Sequence, residues 1–502
     1  MKNLLEIRNK IKHIRKNKKS IGLCHGVFDI LHYGHLKHFE AAKKKCDYLF
    51  VSITSDKYIK KGPNRPVHSE GERHSLLQSL ELVDYVFIAE EESAVNTIDL
   101  IKPDYYFKGN DYKNNISDKT KKIFYEIDAV KKNKGKIIYT NEKQMSSSKI
   151  INQFGLALNE EQIKFLDQIK KNDDYTSIIN TLDKLKKDKV LVVGDLIIDN
   201  YVYGDVLGKS GKEPHMVFCQ STKNFYIGGS AIIANHLSDF IKNVTLISDL
   251  GKEIEIKKLL NKELKKNIKH LPILPIKGYK SCIKTRFIDT TTHYKLFGAY
   301  IISNLEISKF YKSLNSKLNK EIKKNDIIII ADYSNNFFNK SSINLIKKSN
   351  KFNCAMIQKN SNNPSFFSIN NIKNFDLICV NEGELRSELR DKKSEIDVLA
   401  KNFLIKNKLK FIIITKGISG SILFDHKLNK YSCPSFNLKP VDKIGAGDSM
   451  LAILSILLKN KVNPLTSLLI ASLVSSIVVS NMGNSYSTSR MDIERNLEFL
   501  LK

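Results

Sequence analysis

Two stretches of the chain carry residue types whose spacing could do phosphorus chemistry. The first is GVFDILHYGH at residues 26–35, where Gly26, Phe28 and Asp29 lead into His32 and His35. Imidazoles so spaced at the start of a helix would lie beside main-chain N–H groups, a setting that favours phosphate. They could donate to a phosphate whose charge grows as a bond breaks. The second stretch is VDKIGAGDSMLAILSILL at residues 441–458, a glycine-rich turn (Gly445, Ala446, Gly447) that feeds a long apolar helix opening on Asp448. The N–H groups of residues 444–447 would form an anion hole. Asp448 could accept the proton of a hydroxyl as it attacks a terminal phosphate. Each motif has a plainer alternative, since the histidines could be ordinary surface or core residues and Asp448 only a helix cap.

The surrounding segments must position these groups. SIGLC before the first motif is a short apolar strand, and LKHFEAAKKKC after it is a helix with Leu36, Phe39 and Ala42 on one face. Strand candidates DYLFVSITSD, DYVFIAE, DYYFKGNDY and GKIIYT then alternate with helical ERHSLLQSLELV and SAVNTIDLIK. That alternation predicts a parallel sheet covered by helices on both faces, with ligands at the carboxyl ends of its strands. His32, His35, Asp56 and Lys108 fall at such ends. The first domain is therefore expected over residues 1–153. A helical connection follows over 154–188, with Leu158, Ile163, Leu166 and Ile169 as its apolar face. The second domain, 189–502, opens on the strand KVLVV, places carboxylates at Asp195 and Asp199, and brings a Gly228–Gly229 pair to a helix start, where backbone can approach a substrate closely.

The length of 502 residues exceeds what one core usually serves, in keeping with two domains. A formal net charge of +29 raises the question of nucleic acid, but the lysines are scattered rather than gathered into a stripe, so no nucleic-acid partner is expected. Small anionic substrates would still be attracted. The seven cysteines include no CxxC pair, which argues for free thiols in a reducing compartment. The basic N-terminus lacks a signal-peptide core and reads as an amphipathic helix through Leu4, Ile7, Ile11 and Ile14. LLIASLVSSIVVS is too short to cross a bilayer, so no membrane association is expected. The chain reads as a soluble cytoplasmic protein, with a homodimer as a possible assembly.

The first motif, written GxFDxxHxGH, resembles the signature of the cytidylyltransferase-like nucleotidyltransferases, and the likeness extends over roughly residues 20 to 153. It implies that both histidines contact nucleotide phosphates, with Gly26, Phe28 and Asp29 at the nucleotide. KKGPNRPVHSEGER would bring Lys61 and Arg65 toward the phosphates, ahead of Glu72 and Arg73. PDYYFKGNDYK is similar to the KGxDY segment of heptose 1-phosphate adenylyltransferases and would set Lys108, Gly109 and Asp111 near the nucleotide. MSSSKI resembles a helix start at which Ser147, Ser148 and Lys149 bind phosphate; Lys149 stands where arginine is usual, which keeps the charge but loses the bidentate fork. On the residues alone, Lys61 and Arg65 could be solvated loop charges, and the serines only a cap.

The second half carries, in order, GDxxxDxY, GGSA, VNEGE, ITKG and DxxGAGD, and resembles the ribokinase-like (PfkB) carbohydrate kinases. GDLIIDNYVYGDV and SSIVVSNMGNSYSTSR look most like the heptose 7-phosphate kinases. The resemblance implies Asp448 as catalytic base, Gly445, Ala446 and Gly447 as anion hole, Asn381 and Glu384 as organisers of Mg²⁺ and phosphate, and Lys416 and Gly417 at ATP. Asp195, Asp199, Gly228 and Gly229 would face the sugar, with Lys284 and Arg286 gripping its phosphate. Three positions depart from the pattern: Lys443 replaces the usual threonine, Ile232 an asparagine, and DYSNN at 332–336 a DYGHG.

The resulting expectation is an α/β protein with an N-terminal Rossmann-like nucleotidyltransferase and a C-terminal ribokinase-like domain bearing a small β lid. It would activate sugars in two steps. ATP and Mg²⁺ would phosphorylate the anomeric hydroxyl of a sugar phosphate such as D-glycero-D-manno-heptose 7-phosphate, and a sugar 1-phosphate would be joined to a nucleotide to give an ADP-heptose. Compared with two-headed heptose enzymes the domain order is reversed. This leaves CTP with another polyol or sugar phosphate, or one degenerate half, as open alternatives.

Overall fold

In the main sheet of each half the strands are short apolar runs, and the central ones are buried along nearly their whole length, the pattern of parallel strands covered on both faces. The computed structural model describes residues 2–59, 62, 65–110, 122–140, 158–273, 279–303, 308–359 and 372–501. The chain forms two units, Met1–Asn159 and Glu160–Lys502.

In the first unit, strands β1 (Ile21–Gly26), β2 (Tyr48–Thr54), β3 (Tyr85–Ala89), β4 (Tyr105–Gly109) and β5 (Lys136–Thr140) form one sheet. Its order is β3-β2-β1-β4-β5, all parallel. The chain winds outward from β1 to β3 and then places β4 on the other side, so the topological switch lies between β1 and β4. One face of the sheet packs Leu23, Phe50 and Tyr106 against Ile98, Ile101 and Val130. The opposite face packs Val51, Ile53 and Phe107 around Phe28, Phe39 and Leu77. The N-terminal helix Lys2–Lys16 lays Ile7 and Ile14 into the first of these cores.

The second unit holds two sheets among its described residues. The larger comprises β6 (Lys189–Gly194), β9 (Asn243–Ser248), β10 (Ile268–His270), β13 (Ile327–Asp332), β14 (Phe352–Ile357), β15 (Leu377–Asn381), β16 (Phe411–Thr415), β17 (Ser421–Asp425) and β18 (Lys430–Cys433). Its order is β10-β9-β6-β13-β14-β15-β16-β17-β18, parallel as far as β16 and antiparallel beyond. The smaller sheet joins β7 (Leu196–Lys209), β8 (Met216–Gly229), β11 (Cys282–Asp289) and β12 (Lys295–Ile301) in the order β12-β11-β7-β8. This is the small β lid expected from the sequence.

Two apolar helices lie on the large sheet's side of this unit. Every residue from 448 to 458 of helix Ala446–Lys459 is buried, as is most of Pro464–Val479, and the two pack on each other. A helix apolar on all sides is a buried one. No helix among the described residues is long and apolar enough to cross a membrane.

The segment expected as a connection is also a packed part of the second unit. Helices Glu160–Lys170 and Tyr175–Leu185 bury Phe165, Leu166 and Ile169, and Gln162 Nε2 donates to the carbonyl of Ser435 at 2.6 Å. Ile163, expected on the apolar face, is 39% exposed; Phe165 takes that place and meets Phe436 edge-on.

Candidate active sites, one in each unit

In the second unit a cavity of about 820 Å³ opens between the lid and the carboxyl ends of the central strands. Asp199, Gly229, Lys284 and Arg286 line it from the lid side, Asn381 and Glu384 from the end of β15, and residues 443–448 from the glycine turn. Gly445 has φ +84°, and a Cβ there would stand 2.4 Å from Asn484 Oδ1, so only glycine can make this turn. Helix Ala446–Lys459 begins immediately after it, which leaves first-turn N–H groups directed at the cavity mouth.

Asp442 holds the turn from below. Its Oδ1 accepts the Ile444 N–H (3.2 Å) and the Lys295 ammonium (2.6 Å); its Oδ2 accepts the Tyr201 hydroxyl (2.6 Å) and the Gly483 N–H (3.0 Å). Burial works against its charge, but Lys295 and Tyr201 outweigh burial and keep the carboxyl below its ordinary range. The Ile444 N–H, expected in the anion hole, is thus engaged by Asp442, while Gly445, Ala446 and Gly447 line the cavity. Asp448 is 7% exposed and lines the cavity. Burial pushes its carboxyl up to about 7, aided by Asp199 and Glu384 and opposed by Tyr333 and Lys284.

The sugar-side residues divide. Asp199 lines the cavity, with Arg286 donating to its Oδ1 and Asn484 Nδ2 to its Oδ2 (3.2 Å). Lys284 lines the cavity with its ammonium 5.6 Å from the Tyr333 ring centre. Gly228 backs Asp199, since a Cβ there would meet Asp199 Oδ2 at 2.8 Å. Asp195 differs from expectation. It is 1% exposed, absent from the cavity wall, and accepts the Tyr333 N–H at 2.7 Å, because the turn after β6 directs it into the sheet's switch point beside Asp249 and Asp332.

On the nucleotide side, Asn381 and Glu384 form a capping box for helix Glu382–Leu389: Asn381 Oδ1 accepts the Glu384 N–H (2.8 Å) and Glu384 Oε2 accepts the Asn381 N–H (2.9 Å). Burial raises the Glu384 carboxyl. Gly417 lines the cavity, whereas Lys416 precedes it outside the wall. No group of three or more His, Cys, Asp or Glu among the described residues could hold a metal ion. Asn381 and Glu384, at the cavity wall, are the residues that would lie near a Mg²⁺ carried by nucleotide phosphates, a cation that usually keeps several waters.

In the first unit, His32 is the N-cap of helix Tyr33–Lys43, and its ring stacks on that of His35 at 3.8 Å between centres. Among the described residues neither buried ring nitrogen of His32 has a hydrogen-bond partner, and burial lowers its pKa. An imidazole pair at a helix N-terminus beside the end of β1 is what an incoming phosphate would find. Phe28, at φ +49°, packs edge-on against His35 at 5.2 Å and covers Gly26.

Asp29 and Arg65 were expected at the nucleotide; both side chains are 1% exposed and form an ion pair, Arg65 Nε to Asp29 Oδ2 at 2.6 Å. Asp29 Oδ1 also accepts the N–H groups of Val67 (2.7 Å) and His68 (3.2 Å), so this carboxylate holds the incoming loop. Arg73 is fully buried and donates to the carbonyls of Val27 (2.7 Å), Thr54 (3.0 Å) and His68 (3.1 Å), binding the histidine loop to the end of β2. Lys108, at the end of β4 beside the switch point, contacts Glu126 at 2.9 Å. Burial opposes the Glu126 charge, yet Lys108 and His25 keep that carboxyl below its usual range. Gly109 ends β4. Lys61, Asp111, Ser147, Ser148 and Lys149 lie outside the described residues.

Sequence reasoning missed Asp442, Asn484, Glu126 and Tyr333. Asp442, Tyr333 and Asn484 lie within the motifs DxxGAGD, DYSNN and SSIVVSNMGNSYSTSR; Glu126 is a single polar residue with no spacing to mark it.

Residues 187–491 match the family described as pfkB family carbohydrate kinase, and residues 23–153 match the one described as cytidylyltransferase-like. The bifunctional protein HldE of Campylobacter fetus is 41% identical over 106 residues, 21% of this chain and 23% of that protein. The HldE of a Nitratiruptor species is 44% identical over 115 residues, 22% of this chain and 25% of that protein. The match thus spans about a quarter of the length of these curated relatives. Among solved structures, phosphofructokinase-2 from Escherichia coli in complex with potassium covers 63% of this chain and 100% of its own, with a TM-score of 0.50 and 14% identity, a likeness of fold.

Proposed function

Since the chain belongs to the pfkB family of carbohydrate kinases through residues 187–491 and carries a cytidylyltransferase-like segment at 23–153, we propose that it activates a sugar phosphate in two steps, one in each unit. The observation that carries the kinase half is Asp448, buried at the cavity wall one turn from the glycine turn. In this reading the acceptor hydroxyl gives its proton to the Asp448 carboxylate as its oxygen attacks the γ-phosphorus of ATP, and ADP leaves. The N–H groups of Gly445, Ala446 and Gly447 hold the moving phosphoryl group, and Lys284 and Arg286 bind the phosphate the sugar already carries. Mg²⁺ supplies charge neutralisation on the nucleotide.

In the first unit an oxygen of the sugar 1-phosphate attacks the α-phosphorus of a nucleoside triphosphate and pyrophosphate departs. His32, His35 and the helix N-terminus behind them stabilise the departing charge, while Asp29, Arg65 and Arg73 fix the loops around them. Lys61, Lys149, Ser147 and Ser148 join this site in the reading, with Lys108, Gly109 and Asp111 at the base or ribose. The KGNDY segment, similar to that of heptose 1-phosphate adenylyltransferases, supports a heptose 1-phosphate substrate, ATP as the nucleotide and ADP-glycero-manno-heptose as the product, in a chain that resembles two HldE proteins over about a fifth of its length. The kinase would then act on heptose 7-phosphate, and a separate phosphatase would remove the 7-phosphate between the steps.

A second reading rests on Lys443 and Ile232. Both depart from the kinase pattern, and Lys443 lines the cavity. A different sugar or polyol phosphate would suit that altered wall, and the reversed domain order goes with CTP as the nucleotide of the transferase. Incubation with ATP or CTP and a panel of sugar phosphates, read by mass spectrometry, separates the two. ADP-linked heptose supports the first; a CDP-linked product, with no heptose turned over, supports the second.

A further inference from the structure

Asp448 is held in place by a tyrosine to which no role has been given. Tyr333 follows β13 directly, is 3% exposed, and donates its hydroxyl to Asp448 Oδ1. Its backbone is fixed as well, since its N–H donates to Asp195 Oδ2 at 2.7 Å. Asp195 in turn is buried at the switch point of the large sheet. The tyrosine thus links the rigid centre of the fold to one oxygen of the carboxylate.

We propose that Tyr333 is the positioning residue for the base: by occupying Oδ1 it fixes the carboxylate plane and leaves Oδ2 to receive the proton of the attacking sugar hydroxyl. The inference rests on the kinase reading above. An aspartate in the first turn of a helix otherwise tends to turn back and cap its own N–H groups. A hydroxyl donor on the far oxygen removes that option. A hydrogen bond to an ionised acceptor also favours the ionised form. The charged and titratable groups facing Asp448 are Asp199 from β7, Lys284 from β11, Cys379 from β15 and Glu384 from the following helix. Asp199 and Glu384 raise its proton affinity, and Lys284 and the Tyr333 hydroxyl lower it.

Tyr333→Phe keeps the ring and removes the hydroxyl. The expected result is a kcat for sugar phosphorylation lower by about tenfold or more, an unchanged KM for ATP, and an acidic limb of the kcat/KM profile moved up by about one pH unit. A merely structural role would lower the unfolding temperature and the active fraction without moving that limb. An independent readout is the ¹³Cζ resonance of Tyr333, expected to titrate with the carboxyl in the wild type and to stop titrating in Asp448→Asn. A phenylalanine variant with wild-type kcat and an unmoved limb, in an active kinase, overturns the proposal and leaves the kinase reading standing. A wild type that turns over no sugar phosphate while Tyr333 still titrates supports the pairing and overturns the kinase reading. A Tyr333 resonance indifferent to Asp448 overturns the pairing.

Discussion

At the scale of single residues, burial decides which groups can act as acid or base. Asp448 sits among Asp199, Glu384 and Lys284 with its carboxyl pushed up to about 7, and only its ionised form can accept a proton. Kinase activity should therefore fall as the pH drops below about 7, since the base is progressively protonated there. A kcat/KM profile for the sugar flat down to pH 5 would contradict this. Asp448→Asn, which keeps the shape and removes the basicity, should lower kcat by about 10² to 10⁴-fold in an ATP-coupled assay. In the first unit His35→Ala should cost roughly 2 to 4 kcal/mol of transition-state stabilisation, by analogy with the loss of an oxyanion donor, measured as kcat/KM for pyrophosphate release. Unchanged turnover in that variant would remove the histidine from the mechanism.

At the scale of elements, loops are held by buried charge and the lid by an ion pair. Asp29 receives Arg65, Val67 and His68 with both partners of the ion pair almost fully buried. Replacing it by alanine removes the acceptor of the Arg65 guanidinium and of two loop N–H groups, and the first unit should lose about 3 to 5 kcal/mol, seen as a lowered unfolding transition by calorimetry. Lys295 reaches from β12 to Asp442, which also fixes Ile444 beside the glycine turn, so the lid and that turn share one carboxylate. Lys295→Ala should raise KM for the sugar several-fold while changing KM for ATP less, because the pair is partly exposed and contributes only about 1 kcal/mol or less. Equal changes in both constants would count against a lid role. These connections were not legible in the sequence. Strand and helix alternation and the apolar runs revealed the sheets, because period and burial are local properties. The ion pair Asp29–Arg65 joins residues 36 apart and Tyr201–Asp442 residues 241 apart, and no spacing rule reaches so far. For the same reason the internal bonds of Arg65 to Asp29 and of Asp195 to the Tyr333 N–H had no local pattern to mark them.

At the scale of the whole molecule, two α/β units each place main-chain amides and a few charged side chains at the carboxyl end of a parallel sheet. The motifs GVFDILHYGH and DKIGAGD were readable because each packs strand end, turn and helix start into about ten residues; the walls around them come from distant segments. The central claim is that the units perform separate phosphoryl and nucleotidyl transfers. The most direct measurement is mass spectrometry of products formed from ATP or CTP and a panel of sugar phosphates by the wild type, Asp448→Asn and His35→Ala. The expected result is a sugar bisphosphate missing with Asp448→Asn alone and a nucleotide-linked sugar missing with His35→Ala alone. Loss of both products in either variant while it remains folded, or neither product from the wild type, would contradict the account.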